Sequence, residues 1–338
     1  MLRRVSPLPS FLRRSLPKQL YSQANPFMAT SEQKSPLKRA RTSDVSPLSA
    51  WRHVYNQENT KEGFTIIPMP CNADNYAYLV LDHQSEQAAV VDAGEKDATP
   101  LLQAIQKHGV SLSQVTHVLS THKHWDHSDG NAGFLAAIKD LTIVGPQLDK
   151  VPSATKEVND GDVAHDNHTE PLGDEIKVGS LTFKCIHTPC HTRYWATVSI
   201  DQPSGDTLFT AGCGRFFEGT GKEMHDALIK RIGALPDETV VYGGHEYTVS
   251  NLSFGAHVEP NNDDISAKLK WAQRKRNANE CTQPSTIGEE KRINVFMRVN
   301  HPDVQKFASL KDAVEVMDAL RTKKNSFKAP DPGATTKL

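Results

Sequence analysis

No stretch of 18 consecutive apolar residues occurs in this 338-residue chain, so a membrane-spanning helix is not expected. No excess of charge exists either. The formal net charge is -1, which gives no global argument for nucleic acid or an acidic membrane surface as partner. Cysteine is scarce: Cys71, Cys185, Cys190, Cys213 and Cys281 are odd in number, widely spaced and without a CxxC pair. That argues against a disulfide framework and against a thiolate zinc finger, and fits a reducing compartment. Internal repeats are lacking. What remains is ordinary for a packed protein: 37% hydrophobic and 23% charged residues, enough for one large domain with an appendage, or for two.

Acidic residues are absent from the first 31 positions, which carry Arg3, Arg4, Arg13, Arg14 and Lys18 among several serines. That composition predicts a mitochondrial transit peptide leading to the matrix, with Met28 able to start a cytoplasmic form. Residues 34–50 carry Lys38-Arg39-Ala40-Arg41 among Ser and Pro. A nuclear signal could have that pattern, but a solvated linker accounts for it as well. Residues 1–62 are therefore expected to be leader and linker, with folding from Gly63.

From there apolar runs alternate with amphipathic ones. Strands are predicted over 64–69, 75–81, 88–91, 115–120 and 141–144, with two short ones around Gly179 in 175–186. Helices are predicted over 99–108, stopped by Gly109, and over 131–139. After Tyr247 the pattern becomes helical, over 265–275 and 310–323, and no strand stands out. The fold class is α/β followed by a smaller helical region, divided at 63–247 and 248–338.

The chemistry concentrates in Thr121-His122-Lys123-His124-Trp125-Asp126-His127, where six consecutive residues hold three imidazoles and one carboxylate. His and Asp are common ligands of borderline divalent ions. In extended backbone alternate side chains share a side, so His122 and His124 can grip one ion. A turn would direct Asp126 and His127 to a second. The cluster follows the predicted strand 115–120, and strand ends of that kind are where α/β folds place their sites. His117, inside the strand, reads as structural. Two ions need further donors, and His191 in TPCHT, Asp206 in GDTLF and His245 in GGHEY each follow a predicted strand or short apolar run.

These stretches, with GDTLFTAGCGRFFEGT, GGHEYTVSN and RTKKNSFK, resemble the metallo-β-lactamase superfamily, and within it the glyoxalase II (hydroxyacylglutathione hydrolase) family, from about residue 64 to the C-terminus. The resemblance implies an αββα sandwich with a C-terminal helical domain. It implies that His122, His124 and His191 hold one divalent metal ion and that Asp126, His127 and His245 hold the other. Asp206 bridges the two, and Asp126 and Asp206 have the catalytic roles. Zinc is the expected ion, and iron or manganese would suit the same donors. Lys123 stands where the family often has another His, at a position that is not a ligand. The implied substrate is a glutathione thioester such as S-D-lactoylglutathione, as in methylglyoxal breakdown, contacted by Arg215, Phe217, Tyr247, Arg321 and Lys324. Arg and Lys suit the two carboxylates of the tripeptide, and Phe217 replaces a Tyr of some relatives. A metal pair lowers the pKa of a bridging water, giving hydroxide for attack on the carbonyl. The leaving thiol, with a pKa of roughly 8.5, needs little acid catalysis. Neither covalent catalysis by Cys190 nor a nucleic-acid platform is expected, and the chain is expected to be a monomer.

One segment departs from the family. Only residues 193–205 separate TPCHT from Asp206, room for one strand over 195–200. Asp201-Gln202-Pro203-Ser204 has turn chemistry in place of a second. The shortening puts a core strand and the placement of Asp206 in question. That keeps two rivals open: a catalytically impaired protein that binds glutathione conjugates, and an iron oxidoreductase resembling persulfide dioxygenase.

Overall fold

Two-residue periodicity in the predicted strands has its counterpart in two separate cores. A computed structural model describes residues 59–61, 63–158, 174–192, 196–199 and 203–329. The leader, the 34–50 segment, 193–195 and 200–202 lie outside the described residues. The first sheet has seven strands in chain order: β1 (Asn59–Lys61), β2 (Phe64–Cys71), β3 (Asn75–Asp82), β4 (Ala88–Val91), β5 (Val115–Leu119), β6 (Thr142–Pro146) and β7 (Lys156–Val158). The strands from β1 to β4 pair antiparallel and those from β4 to β7 parallel. β1 precedes the start expected at Gly63, because its backbone completes the edge of β2.

Along β3 the side chains alternate between faces. Ala77 and Leu79 join one core with Leu101, Ala104 and Ile105 of helix α1 (Thr99–Lys107). Tyr76, Tyr78 and Val80 join the other, against Ile176, Phe183 and Cys185 of the second sheet. This is the alternation expected when both faces of a sheet are covered. Helix α1 ends as anticipated, with Gly109 at φ 77°. Two helices follow β5, a single turn α2 (Trp125–Ser128) and α3 (Asn131–Ala137).

The second layer holds β8 (Glu175–Val178), β9 (Leu181–His187) and β10 (Ala196–Ser199) in one antiparallel set. Beyond lie β11 (Pro203–Gly205), the hairpin β12 (Leu208–Phe209) and β13 (Gly212–Cys213), β14 (Val240–Gly243) and β15 (Ser285–Thr286). The turn expected around Pro203 is instead a three-residue strand pairing parallel with β14. Pro tolerates such an edge position, and the pairing delivers Asp206 from a fixed backbone. The short interval therefore keeps both strands. β15 also corrects the expectation of no strand after Tyr247; at two residues, paired with β14, it has no periodic signal of its own.

The helices α4 (Gly221–His225), α5 (Thr248–Val258), α6 (Asp263–Asn277), α7 (Ile287–Ile293), α8 (Pro302–Ala308) and α9 (Ala313–Ser326) complete the chain. Their core takes in Leu252, Phe254, Ile265, Phe296 and Leu320, and also Leu208 and Val241 of the second layer. Helices outside both sheets make the αββα arrangement. Among the described residues no helix is long and apolar enough to cross a membrane.

Candidate metal centre

Four loops at the carboxyl ends of strands, those after β5, β9, β11 and β14, meet above the sheets. After β5, a bend over residues 121–123, rather than the extended backbone expected, brings His122 and His124 together, with His122 Nε2 2.9 Å from His124 Nδ1. His191, in the loop after β9, brings Nε2 to 3.0 Å from that same Nδ1. Helix α2 then turns Asp126 and His127 the other way. Asp126 Oδ2 lies 3.4 Å, and His127 Nε2 3.3 Å, from Nε2 of His245, which follows β14. Asp206 stands between the two groups. Its Oδ2 is 3.4 Å from His191 Nε2 and 3.3 Å from His245 Nε2, and its Oδ1 is 3.3 Å from His127 Nε2. All seven residues named from the sequence converge, and the short interval before Asp206 does not displace it.

The chemistry of these donors fits divalent ions. Tetrahedral ligands at ~2.05 Å stand about 3.3 Å apart, close to the spacings here. His127 Nδ1 lies 2.9 Å from Asp92 Oδ2, His245 Nδ1 2.9 Å from Asp74 Oδ1, and His191 Nδ1 3.0 Å from the Arg215 carbonyl. Each outer partner is an acceptor, so each Nδ1–H donates outward and leaves the Nε2 lone pair facing inward. Lone pairs directed at a carboxylate repel it unless positive charge lies between. Among the described residues, buried Asp206 Oδ1 accepts no hydrogen bond.

Electrostatics point the same way. Burial opposes charge on Asp206, yet the neighbouring His245 and His127 hold its carboxyl well below the usual range. Burial likewise opposes charge on His245, but Asp206 and then Asp74 raise it to about 9. His127 is raised well above its ordinary value against burial by Asp206 and Asp92. His191 falls to about 4 and His122 lies well below its ordinary value, both chiefly from burial. One carboxylate thus demands cationic charge on one side, while neutral imidazoles face it on the other. Glycine permits the close packing: a Cβ on Gly244 would stand 2.5 Å from Asp206 Oδ1 and 2.8 Å from His127 Cε1.

The sequence reading missed the partners that orient the ligands. Asp92 ends β4 at φ 58° and accepts from Thr121 N at 2.7 Å and Thr121 Oγ1 at 2.8 Å, besides His127. Asn75 Nδ2 donates to Asp126 Oδ2 and to the Asp126 carbonyl, both at 3.1 Å. Buried Asp149 accepts from Lys123 N at 2.7 Å and Thr192 Oγ1 at 3.2 Å, tying two of the ligand loops together. The available signal was a strand-end acid in Val91-Asp92-Ala93-Gly94.

Comparison with known proteins agrees with this geometry. The profile of the metallo-β-lactamase superfamily matches residues 73–245, and that of the hydroxyacylglutathione hydrolase C-terminus matches 246–327. A relative from Arabidopsis thaliana, "Hydroxyacylglutathione hydrolase cytoplasmic", is 40% identical over 271 residues, covering 78% of this chain and 99% of its own. The chain belongs to the hydroxyacylglutathione hydrolase family. A "Hydroxyacylglutathione hydrolase-like protein" from Gallus gallus is also 40% identical, over 268 residues, covering 76% of this chain and 88% of its own. A metallo-β-lactamase structure from Staphylococcus aureus shares the fold, with a TM-score of 0.50 at 16% identity over 81% of this chain and 78% of the other. As a member of this family and superfamily the protein is a metal-dependent hydrolase.

In this hydroxyacylglutathione hydrolase family member a cavity of about 630 Å³ opens over the metal centre. All five residues expected to contact substrate line it. Tyr247 stacks on His245 at 4.7 Å, and Phe217 lies tilted against His191 at 5.1 Å. Arg321 is mostly buried, donating to the Cys213 carbonyl at 2.8 Å and to Asn325 Oδ1 at 3.0 Å. Lys324 Nζ reaches the Ser250 carbonyl and hydroxyl, both at 2.9 Å. Burial and the adjacent Arg321 lower its pKa to about 8. Cys190 points away, its Sγ 3.4 Å from the Thr220 carbonyl, and burial pushes its thiol far up.

Proposed function

We propose that the protein hydrolyses glutathione thioesters, S-D-lactoylglutathione foremost, to glutathione and a 2-hydroxy acid, and so removes a product of methylglyoxal. The observation that carries this reading is one cavity with two unlike ends: a seven-residue His/Asp centre at its floor and three cations, Arg215, Arg321 and Lys324, on its wall. His122, His124 and His191 would hold one divalent ion, Asp126, His127 and His245 the other, with Asp206 shared; zinc is the ion we expect. Such ions, when bound, lower the pKa of water and polarise a carbonyl.

The chain's own residues do the rest. Asp92, Asp74 and the Arg215 carbonyl fix the tautomers of three imidazoles, so that no reorientation is needed when substrate arrives. Asn75 holds the Asp126 carboxylate to one orientation, and Asp126 and Asp206 supply the negative charge that keeps the centre loaded. The arginines and Lys324 would bind the two tripeptide carboxylates. Tyr247 and Phe217, packed on metal-facing imidazoles, would flank the thioester. Residues 63–247 supply the metal centre and 248–338 part of the substrate wall. The protein acts as a monomer, in the mitochondrial matrix through its basic leader and in the cytoplasm when started at Met28.

The test is hydrolysis of S-D-lactoylglutathione by the full chain, with metal content measured on the same sample. Turnover with about two ions per chain is expected. A folded, two-metal protein without turnover would overturn the substrate assignment. Failure to take up more than one ion would overturn the shared role of Asp206.

A further inference from the structure

Lys123 interrupts the run of donors without joining it. It lies between His122 and His124, but its ammonium stands 2.6 Å from Glu218 Oε1 and 3.3 Å from Asp149 Oδ1. Asp149, in the turn after β6, has a side chain only 1% exposed. Its other oxygen, Oδ2, already accepts from Lys123 N and Thr192 Oγ1. Glu218 belongs to the loop between β13 and α4, which also carries Arg215 and Phe217 to the cavity. The side chains of Lys123 and Glu218 are 35% and 29% exposed. A pair so close to water adds little to stability. Its place in the fold is the better guide, because it joins the loop of the candidate centre to the loop of the cation wall.

The wall loop, residues 214–220, is closely fitted at both ends. A Cβ on Gly214 would stand 2.1 Å from the Asp206 carbonyl oxygen, and one on Gly219 2.5 Å from Cys190 Cα. The Arg215 carbonyl accepts from His191 Nδ1, and Glu218 N donates to the Cys190 carbonyl at 3.2 Å. Thr220 then caps α4 in a reciprocal pair with Glu223. These ties lead to the 188–192 loop and to α4. The Lys123–Glu218 pair leads across to the 121–127 loop. Between the two loops lies Phe217, whose ring is 5.8 Å from that of His124 and 5.1 Å from that of His191. At 60% exposure this ring is not held by burial, so its place depends on the backbone that carries it.

We propose that Lys123 is a positioning residue for substrate: set between buried Asp149 and Glu218, it keeps the 214–220 loop against the 121–127 loop, with Arg215 and Phe217 in place over the centre. This rests on the thioester reading above. Lys123 acts through Glu218 on groups that would bind the tripeptide. Its loss should therefore weaken ground state and transition state alike, which raises KM and spares kcat. A loop that substrate has to order costs binding free energy that a preorganised loop does not.

The experiment measures kcat, KM and metal content with S-D-lactoylglutathione on the metal-loaded full chain and on K123M, K123R, E218A and K123M/E218A. K123M and E218A should each raise KM roughly fivefold, as partners in one ion-pair network would. Metal content should match wild type, and kcat should stay within about twofold. The double variant should raise KM no further than the larger single effect, because the same interaction is lost once. K123R, which keeps the charge, should hold KM within about twofold. An unchanged KM in the single variants, effects that multiply in the double variant, or a K123R as impaired as K123M would overturn the proposal. If K123M loses metal through the uncovered Asp149, E218A decides, because it leaves the Lys123–Asp149 pair in place. A raised KM at unchanged kcat then supports the positioning role, and an unchanged KM overturns it. A metal-loaded wild type without turnover overturns the thioester reading, and the positioning role with it.

Discussion

Two buried carboxylates, one in each half of the molecule, behave in opposite ways. Asp206, among the imidazoles, is 6% exposed and is held charged. Glu290, on α7 in the helical half, is 0% exposed, and burial pushes its carboxyl up to about 7. Burial is alike; the company differs. Glu290 Oε2 accepts from Ala211 N at 2.8 Å and Asn294 Nδ2 at 2.9 Å, which are neutral donors. Those bonds lower its pKa but do not replace the lost hydration of a full charge. Asp206 instead faces groups that can carry positive charge; among the described residues each acid has one oxygen without a donor, Asp206 Oδ1 and Glu290 Oε1, so it is the surrounding charge that separates them. A buried acid among inward-facing imidazole lone pairs is arranged for a cation. A buried acid bonded through one oxygen to neutral amides pins structure, here the loop between β12 and β13 to α7.

Removing the charge while keeping the shape gives the largest expected effect. Asp206→Asn should leave less than one ion per chain and reduce turnover by more than the roughly 100-fold that misplacing a catalytic group costs. Metal analysis beside the rate measurement checks it. Retention of both ions would break the comparison. One step outward, Asp92→Asn should weaken metal affinity by about 10- to 100-fold, because the tautomer of His127 loses its enforcement. Chelator competition on the folded variant measures this. A lower melting temperature with unchanged affinity would make Asp92 structural only.

The cationic wall should respond more mildly, and with a definite sign. Burial and Arg321 lower the pKa of Lys324 to about 8, so its ammonium is present below that pH and lost above it. Because kcat/KM reports the free enzyme, its value on S-D-lactoylglutathione should fall as pH rises through 8, by up to about tenfold at pH 9. Lys324→Arg, which stays charged, should flatten that fall. Parallel profiles for the two proteins would remove Lys324 from substrate binding.

The two halves also differed in how legible they were. His122, His124, Asp126 and His127 share one short run, and His191 and His245 follow strands, so local pattern was enough. The turn chemistry of Pro203 and Ser204 put the placement of Asp206 in question; their pairing with β14 depends on residues far along the chain. Outer partners were illegible for the same reason. Asp92 meets His127 across 35 positions, and Asp74 meets His245 across 171. In the helical half, α6 and α9 were read from their apolar spacing. The burial of Glu290 was not, because Glu289-Glu290-Lys291-Arg292 looks like a solvated helix face until α7 packs against the β12–β13 loop.

That buried acid supplies the smallest effect and the sharpest control. Its folded pKa, about 7, lies above the 4.5 of an ordinary Glu. Protonated Glu290 therefore stabilises the fold fully below pH 4.5, and the contribution is lost as pH rises through 7. Gln presents the same acceptor to Ala211 and Asn294 and never ionises, so Glu290→Gln should be the more stable protein at high pH. At about 1.36 kcal/mol per pKa unit, its advantage over wild type should widen by on the order of 1 kcal/mol between pH 6 and 8.5. Thermal melts of the two metal-loaded proteins at both pH values test this, with turnover at pH 7 expected to stay within about twofold, as for a change that leaves the reacting groups untouched. A constant gap would mean that Glu290 is ionised in the fold like Asp206. The contrast between a carboxylate kept for a cation and one kept for packing would then fail.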